Sequence, residues 1–485
     1  MKPKTLLLSI LTLVLFFVLT IPVWLKVDAL PLRMWDESRN AINAIEMFES
    51  HNWLIRTWKE KPEVYELKPP LLTWLQVASL SLFGLNELAI RLPAVVFSIA
   101  TLVLVFKVCF DATKSRGISL LGVGITSTSA GFYGEHVGRF GDHDALLVFF
   151  GLLFVYQIHL FITALSNKHL YWAATSFVLA VMTKSVAVFL LFPGLFLFLT
   201  IYKNWAQLLS NKHFYRSVLL GVTPIFIYYG LRGLYQPGYL SLVWEGELFP
   251  RFFNTSKDCA FDEHTYNYYI KQLIQTQMRH WVWMFGVVLA APFLSKRVSG
   301  QWCFWAVQPL IFILILSMGT KNFWYVAPAI PMLAIAFSLS LYHIIIGLFR
   351  RASLWYSVAP LLLIFPFIDA HAYALNPAEK YYTWETNGIS YYLKDERHTS
   401  HLNNNTQILL DTVYGLEPHL FYVKKLELER GVVLPRVHHD RIESGDTLLV
   451  SHRSVYDYLQ GIYSVTTLDS SYKHTKLVVI ENKTF

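Results

Sequence analysis

Along this chain, apolar runs close to the ~20 residues needed to cross a bilayer alternate with short polar connections. The runs predict membrane-spanning helices over 5–25, 88–108, 117–133, 145–165, 170–183, 185–202, 216–231, 281–294, 302–318, 323–348 and 354–368. Segment 71–83 is apolar but short, and predicts an amphipathic helix lying at the membrane interface. That makes about eleven crossings, with the two termini on opposite sides. The first run follows Lys2 and Lys4 as a signal peptide would, but it is long and no small-residue cleavage site follows, so it reads as a retained helix.

The connections divide by charge. One alternating set is short and almost free of carboxylates: Lys2 and Lys4; Lys107, Lys114 and Arg116; Lys168; Lys203, Lys212 and Arg216; Lys296 and Arg297; Arg350 and Arg351. Basic loops of this kind face the cytoplasm. The other set is longer, mixed in charge and rich in aromatics: 26–87, 134–144, the turn near Lys184, 232–280, the turn near Lys321, and the tail. These face outward. A span at 71–83 would break the alternation. From about residue 376 hydrophobicity falls, and strand-like runs at Gln407–Leu410, Thr447–Val450 and Leu477–Ile480 flank helix-compatible stretches near Leu416–Val423 and Val455–Leu459. The tail therefore predicts a small α/β domain. The expected organisation is a membrane domain over 1–370 with outer loops 26–87, 134–144 and 232–280, and an extracytoplasmic α/β domain over 371–485.

Composition narrows the class. The 485 residues are 54% hydrophobic and only 15% charged, against about 25% in soluble chains, and mean hydropathy is +0.40. The formal charge of +8 is accounted for by the basic loops, so nucleic-acid binding is not expected. The three cysteines, Cys109, Cys259 and Cys303, are an odd number, with Cys303 inside a predicted span and Cys109 at the end of one, which indicates neither a disulfide framework nor a thiolate metal site.

The unusual polar residues gather on the outer set. Asp36, Glu37, Arg39, Tyr65 and Lys68 lie in the first outer loop, and Arg139, Asp142 and Asp144 in the second. Lys184 ends the fifth span, Glu247 and Arg251 lie in the large loop, and Lys321 and Tyr325 open the tenth span. Ionisable groups at span ends are costly and tend to mark functional sites when they cluster. Several cations beside lipid suit a phosphate or pyrophosphate carried on a long isoprenoid, with Arg able to hold two oxygens at once. If that lipid carries a sugar, the phosphate departs as a stable anion without a general acid, helped by positive charge aimed at it. An attacking hydroxyl needs one carboxylate as base. One or two carboxylates and several cations are therefore the expected inventory, unlike the acid-plus-nucleophile pair of a hydrolytic glycosidase.

The pattern Asp36-Glu37-x-Arg39, then Tyr65-x-x-Lys68-Pro69-Pro70-Leu71-x-x-Trp74, Phe83-Gly84 and Arg91-Leu92-Pro93, resembles the membrane-embedded GT-C glycosyltransferases. The nearest branch is that of the aminoarabinose (lipid A) transferases and protein O-mannosyltransferases. Arg139-Phe-Gly-Asp-His-Asp144 is similar to its second-loop motif, Thr183-Lys184-Ser185 to its Lys-Gly/Ser turn, and Lys321-x-x-x-Tyr325-x-x-Pro328 to its Lys…Tyr-x-x-Pro motif. Glu247-x-x-x-Arg251 is a weaker match. The resemblance implies a GT-C fold and inverting transfer of a sugar from a polyprenyl-phosphate donor at the outer face of a bacterial inner membrane, with the N-terminus cytoplasmic and the tail domain periplasmic. It implies Asp36, with Glu37 and Asp144, as catalytic carboxylates. It implies Arg39, Lys68, Tyr325, Lys321, Arg251 and Lys184 as donor-phosphate ligands, with Tyr65, Arg139, Asp142 and Glu247 supporting.

Two positions depart from the family. Arg279-His280-Trp281 stands where Pro-Trp is common, and Leu67 stands where some relatives place a carboxylate linked to metal binding. No cofactor is required. Glu66 and nearby histidines leave room for a divalent metal, but no histidine spacing supports one. The expected partners are the polyprenyl-phosphate-linked sugar, a lipid A, glycan or protein acceptor, and membrane lipids, with the chain acting as a monomer. A transporter or flippase of lipid-linked sugars is the alternative, and a non-catalytic anchor for the tail a third reading. Transporters place ionisable residues near the midplane of repeated halves, whereas here they crowd one face and no repeat is evident.

Overall fold

The structure is a computed structural model that describes residues 3–33, 35–248, 266–295, 299–349, 355–376, 384–409, 418–451, 453–472 and 475–483. Its Cα framework divides into two units. The first comprises Met1–Val27, Glu63–Leu75 and Arg91–Asn376; the second comprises Asp28–Pro62, Gln76–Ile90 and Pro377–Phe485.

The first unit is a helical membrane domain. Lipid offers no partner to a bare N–H or C=O, so the spanning backbone must close its hydrogen bonds within helices. Among the described residues, six helical stretches are long and apolar enough to cross a membrane by length and composition: Thr5–Trp24, Glu87–Thr113, Asp144–Ala164, Lys168–Ile201 (interrupted after Lys184), Lys212–Tyr235 and Ala329–Ile346. Shorter apolar helices cover Arg279–Leu294, Gly300–Leu316 and Leu361–Leu375, so every predicted span falls on helix, and Leu71–Phe83 is a separate 13-residue helix.

Two spans differ in detail from their apolar runs. The run 117–133 is not one helix: it forms Arg116–Ser127, breaks, and resumes as the single turn Ala130–Tyr133. The break lies in Thr126-Ser-Thr-Ser129, whose hydroxyls bond back to carbonyls of the preceding turn, Thr128 Oγ1 to Gly124 O at 2.7 Å and Ser129 Oγ to Ile125 O at 2.6 Å. Such bonds compete with the helical ladder. The second difference follows Lys184. There Ser185 takes φ 49°, a value uncommon for a residue with a side chain, and the chain continues as a 3₁₀ stretch Ser185–Leu191 and the helix Phe192–Ile201. Phe189 and Phe192 meet Phe177 edge-on with ring centroids 5.4 and 5.7 Å apart, so the chain doubles back on Lys168–Lys184.

The second unit combines the C-terminal segment with two pieces of the first outer loop. Its sheet has the order β4-β3-β5-β7-β6, with β3 Thr406–Leu409, β4 Arg436–Val437, β5 Thr447–Val450, β6 Tyr463–Tyr472 and β7 Thr475–Lys483. Strands β4, β3 and β5 run parallel, and β7 pairs antiparallel with β5 and β6. Helix Arg453–Ile462 packs against it through Val455, Tyr456 and Leu459, and helix His419–Arg430 belongs to the same unit. The sequence pattern locates β3, β5, β7 and both helices; Leu410 and residues 416–417 lie outside the described residues. Strand β6, mostly exposed over 463–470, carries no apolar run and is not legible. A core of Leu409, Val437, Leu448, Val450, Val478 and Ile480 closes the sheet.

Within the same unit the loop pieces form the helix Asp36–Ser50 and a short hairpin of β1 Thr57–Trp58 and β2 Lys61–Pro62. The C-terminal segment grips them. Tyr422 Oη accepts from Leu32 N at 2.9 Å and donates to Glu87 Oε1 at 2.8 Å; Lys394 pairs with Glu87 at 2.9 Å and Lys424 with Glu49 at 3.0 Å. The tail domain thus buttresses the helix that begins at Asp36.

Candidate functional site

In the first unit the polar residues of the outer set form a connected series. Asp144 begins the helix Asp144–Ala164 and Lys184 ends Lys168–Lys184, antiparallel neighbours whose matching ends meet. Lys184 Nζ donates to both Asp144 carboxylate oxygens, at 2.7 and 2.6 Å, with the pair almost wholly buried. Two charges buried away from water are costly, and only close pairing offsets the cost. Lys184 Nζ also sits 4.9 Å above the Tyr325 ring. Tyr325 lies in a 3₁₀ turn, Phe323–Val326, just before Pro328 and the helix Ala329–Phe349.

Next along the series, Trp324 packs edge-on to Tyr325 and stacks on His136, centroids 3.9 Å apart. His136 Nδ1 meets Asp142 Oδ2 at 2.6 Å, and Asp142 Oδ1 accepts from the His143 backbone N–H at 2.6 Å and faces His143 Nδ1 at 3.2 Å. Burial pushes the Asp142 carboxyl up, but hydrogen bonds from His136 and His143 and their charge outweigh it and hold it well below the usual carboxylate range. Asp142 is therefore a fixed anion. Sequence patterning places Trp324 in the interfacial aromatic belt; its neighbour Tyr325 was the available signal for a closer role.

Asp144, Lys184 and Tyr325 stand at the polar end of a cavity of about 300 Å³. Its walls are apolar: Leu147, Val186 and Leu190 on one side, Phe312, Ile315 and Pro328 on the other. Such a cavity can take an apolar chain whose polar end meets Lys184 and Tyr325.

Other predicted residues of this unit take distinct places. Lys68 Nζ is paired with Glu66 at 2.6 Å, both buried, in a turn where Glu63 accepts from the N–H groups of Tyr65 at 2.8 Å and Glu66 at 3.2 Å. The Tyr65 ring is exposed. Tyr239 Oη donates to Leu67 O at 2.9 Å, and Leu67 packs with Tyr239 and Val243. Leu67, where some relatives have a carboxylate, thus anchors the Lys68 turn. Tyr239 escaped sequence reading because its partner lies 172 positions away. Its one local signal is the turn at Pro237-Gly238, where Gly238 takes φ +85°.

Arg139 is buried and caps the first helix, donating to Pro22 O at 2.8 Å and Leu25 O at 2.6 Å. Burial lowers its guanidinium to about 10, so it remains charged at neutral pH. Lys321 Nζ bonds Ser317 O and Gly319 O, capping the end of Gly300–Leu316. Glu247 is buried in the turn Trp244–Leu248. Arg251 lies outside the described residues.

The second unit holds Asp36, Glu37 and Arg39 in the first turn of Asp36–Ser50. Trp35, just before it, takes φ 76°. Glu37 accepts from Arg33 N at 2.7 Å, and the Arg39 guanidinium lies 4.5 Å from the Trp58 ring centroid. Acidic residues suit the positive end of a helix.

A family model for dolichyl-phosphate-mannose-protein mannosyltransferase matches residues 67–229. Crystal structures of ArnT from Cupriavidus metallidurans superpose along the whole length: the form bound to undecaprenyl phosphate with TM-score 0.65, covering 98% of both chains at 16% identity. This is the GT-C fold. The apo form of that protein agrees, with TM-score 0.63 and 15% identity over 98% of this chain and 97% of that one. An uncharacterized protein of Aquifex aeolicus (strain VF5) is 25% identical over 306 residues, 62% of this chain, and this chain spans 58% of that relative's length. The GT-C frame matches the sequence expectation in both parts, a polytopic helical bundle and a small C-terminal sheet domain.

Proposed function

We propose that this chain transfers a sugar from a polyprenyl-phosphate donor to an acceptor at the outer face of a bacterial inner membrane, with inversion at C1. The observation that carries the reading is the buried Asp144–Lys184 pair and Tyr325 at the polar end of an apolar cavity of about 300 Å³. A transporter has no use for a charge pair locked at the polar end of an apolar cavity, whereas an enzyme must hold a lipid's head still. The undecaprenyl phosphate bound to ArnT supports an isoprenoid phosphate as the carrier.

In this reading the isoprenoid enters the apolar cavity, and its phosphate takes positive charge from Lys184 and Lys68, with Arg39, Arg251, Lys321 and Tyr325 as further ligands. The C1–O bond breaks with its electrons going to the phosphate oxygen, and the cations stabilise that charge as it grows. Asp36 serves the acceptor, aided by Glu37. Toward a sugar or protein hydroxyl it takes the proton. Toward a phosphate acceptor, already an anion, it orients. Asp142, Arg139, Tyr65 and Glu247 position rather than react, and the chain works as a monomer without a cofactor.

The test is incubation of purified protein with radiolabelled polyprenyl-phosphate sugar and a panel of lipid A, glycan and peptide acceptors in detergent, without compartments. Release of free polyprenyl phosphate together with labelled acceptor supports transfer. Intact donor with every acceptor, under conditions where reconstituted vesicles move that donor across the bilayer, assigns the chain to transport.

A further inference from the structure

The first unit contains a second apolar cavity, at the other end of the same helices. Asp144–Ala164 is 21 residues long, about 30 Å, so Asp144 and the connection after Ala164 lie at opposite membrane faces. The second cavity, about 320 Å³, is lined by the far half of that helix (Phe154, Phe161), the first half of Lys168–Lys184 (Ala174), Phe196, Trp205 and Val218. From Phe214 to Val222 it follows about 12 Å of helix, most of one leaflet's hydrocarbon depth. Its volume sits at the low end of the range for small-molecule sites, about 300–1,000 Å³, enough for one chain rather than a whole lipid. Phe196 and Val218 are 48% and 43% exposed, so the cavity opens sideways toward lipid.

The rim is polar, tied together and of one sign. Asn211 Nδ2 donates to Asn167 Oδ1 at 2.6 Å, Asn204 Nδ2 to Ile162 O at 2.9 Å, and Tyr171 Oη meets His213 Nδ1 at 2.8 Å. The first of these bonds joins the connection at 165–167 to that at 202–211, and the other two tie in the adjoining helix ends. Lys168, Lys203, Lys212 and Arg216 stand exposed on this rim, and the chain contains no Asp or Glu from 145 to 244. Lys and Arg beside a membrane attract anionic headgroups by roughly 1 kcal/mol each.

From this juxtaposition we propose that the cavity binds one anionic glycerophospholipid of the leaflet opposite Asp144. One acyl chain fills the cavity and the phosphate takes its charge from Lys203, Lys212 and Arg216. The site is independent of the sugar-transfer reading: the two cavities lie at opposite ends of the helix pair, and no residue of this rim is assigned to the reaction.

The test is native mass spectrometry of the purified full chain offered equal amounts of phosphatidylglycerol and phosphatidylcholine with matched acyl chains. Wild type should retain a single phosphatidylglycerol with at least about tenfold preference. The triple variant K203A/K212A/R216A should lose the preference, while K203R/K212R/R216K keeps it. Ala174→Phe, which fills the cavity without altering charge, should lower retention of both lipids. Equal retention of the two lipids by wild type overturns the proposal, as does an unchanged preference in the alanine triple. A polyprenyl phosphate that displaces the phosphatidylglycerol in competition also overturns it, since the occupant would then be the carrier lipid.

Discussion

The helix pair Asp144–Ala164 and Lys168–Lys184 carries ionisable groups at both ends, and the two ends treat them oppositely. At one end Asp144 and Lys184 are buried, of opposite sign and bonded to each other beside an aromatic ring. At the other, Lys168, Lys203, Lys212 and Arg216 are exposed and of one sign. Exposed charge at a membrane surface costs little, so its arrangement only needs to suit the headgroups it meets. Buried charge is retained where its geometry is needed. Burial and pairing, rather than the number of charges, set the two ends apart.

The largest effect on the buried end should come from Lys184→Ala. Leaving Asp144 buried without its partner should cost about 3–5 kcal/mol, seen as a large drop in thermal midpoint in detergent. The double variant D144N/K184M removes both charges and should recover most of that stability while staying inactive. A double variant as unstable as the single one would mean that the pair is not what the burial rests on; an active one would remove this end from the reaction.

His419 is an ionisable group buried in a third way. It opens the helix His419–Arg430 in the second unit, fully enclosed. Burial, then the charges of Arg436 and Lys59, lower it to about 3, so it is neutral in the fold. The unfolded chain takes up the proton near pH 6.5 and the folded chain does not, so stability is full above about 6.5 and falls as pH drops toward 3. Each unit within that window costs up to about 1.4 kcal/mol, or roughly 2 kcal/mol at pH 5. Urea or thermal melts at pH 7 and pH 5 should show this loss, and His419→Leu should flatten it.

Smaller effects follow. Trp324→Leu removes the stack on His136 and should cost about 0.5–1.5 kcal/mol in stability, with donor affinity falling because Tyr325 loses its neighbour. Least affected is the opposite rim: K203A/K212A/R216A should melt within about 0.5 kcal/mol of wild type in lipid-free detergent. A loss there as large as that of Lys184→Ala would erase the distinction between the two ends.

Much of this frame was legible in the sequence because lipid imposes a local rule. An apolar run of sufficient length must be helical, so the spans and the short helix Leu71–Phe83 could be read without tertiary knowledge. The break at Thr126–Ser129 depends on side chains bonding their own helix, which an apolar run conceals. The grouping of residues 28–62 and 76–90 with the C-terminal segment depends on Tyr422, Lys394 and Lys424, whose partners lie over 300 positions away. At the site, the motifs mark Asp144 and Lys184 only as separate candidates. That they neutralise each other is a property of two helix ends meeting, and no spacing within either motif encodes it.

The most direct test of the central claim is single-turnover release of polyprenyl phosphate from the labelled donor by wild type and by Asp36→Asn, with donor affinity measured on the same samples. Wild type should release it, and Asp36→Asn should do so about 10²–10⁴ times more slowly, at near-unchanged donor affinity. Wild-type rates in the Asp36→Asn protein, or donor left intact by the wild type with every acceptor class, would contradict it.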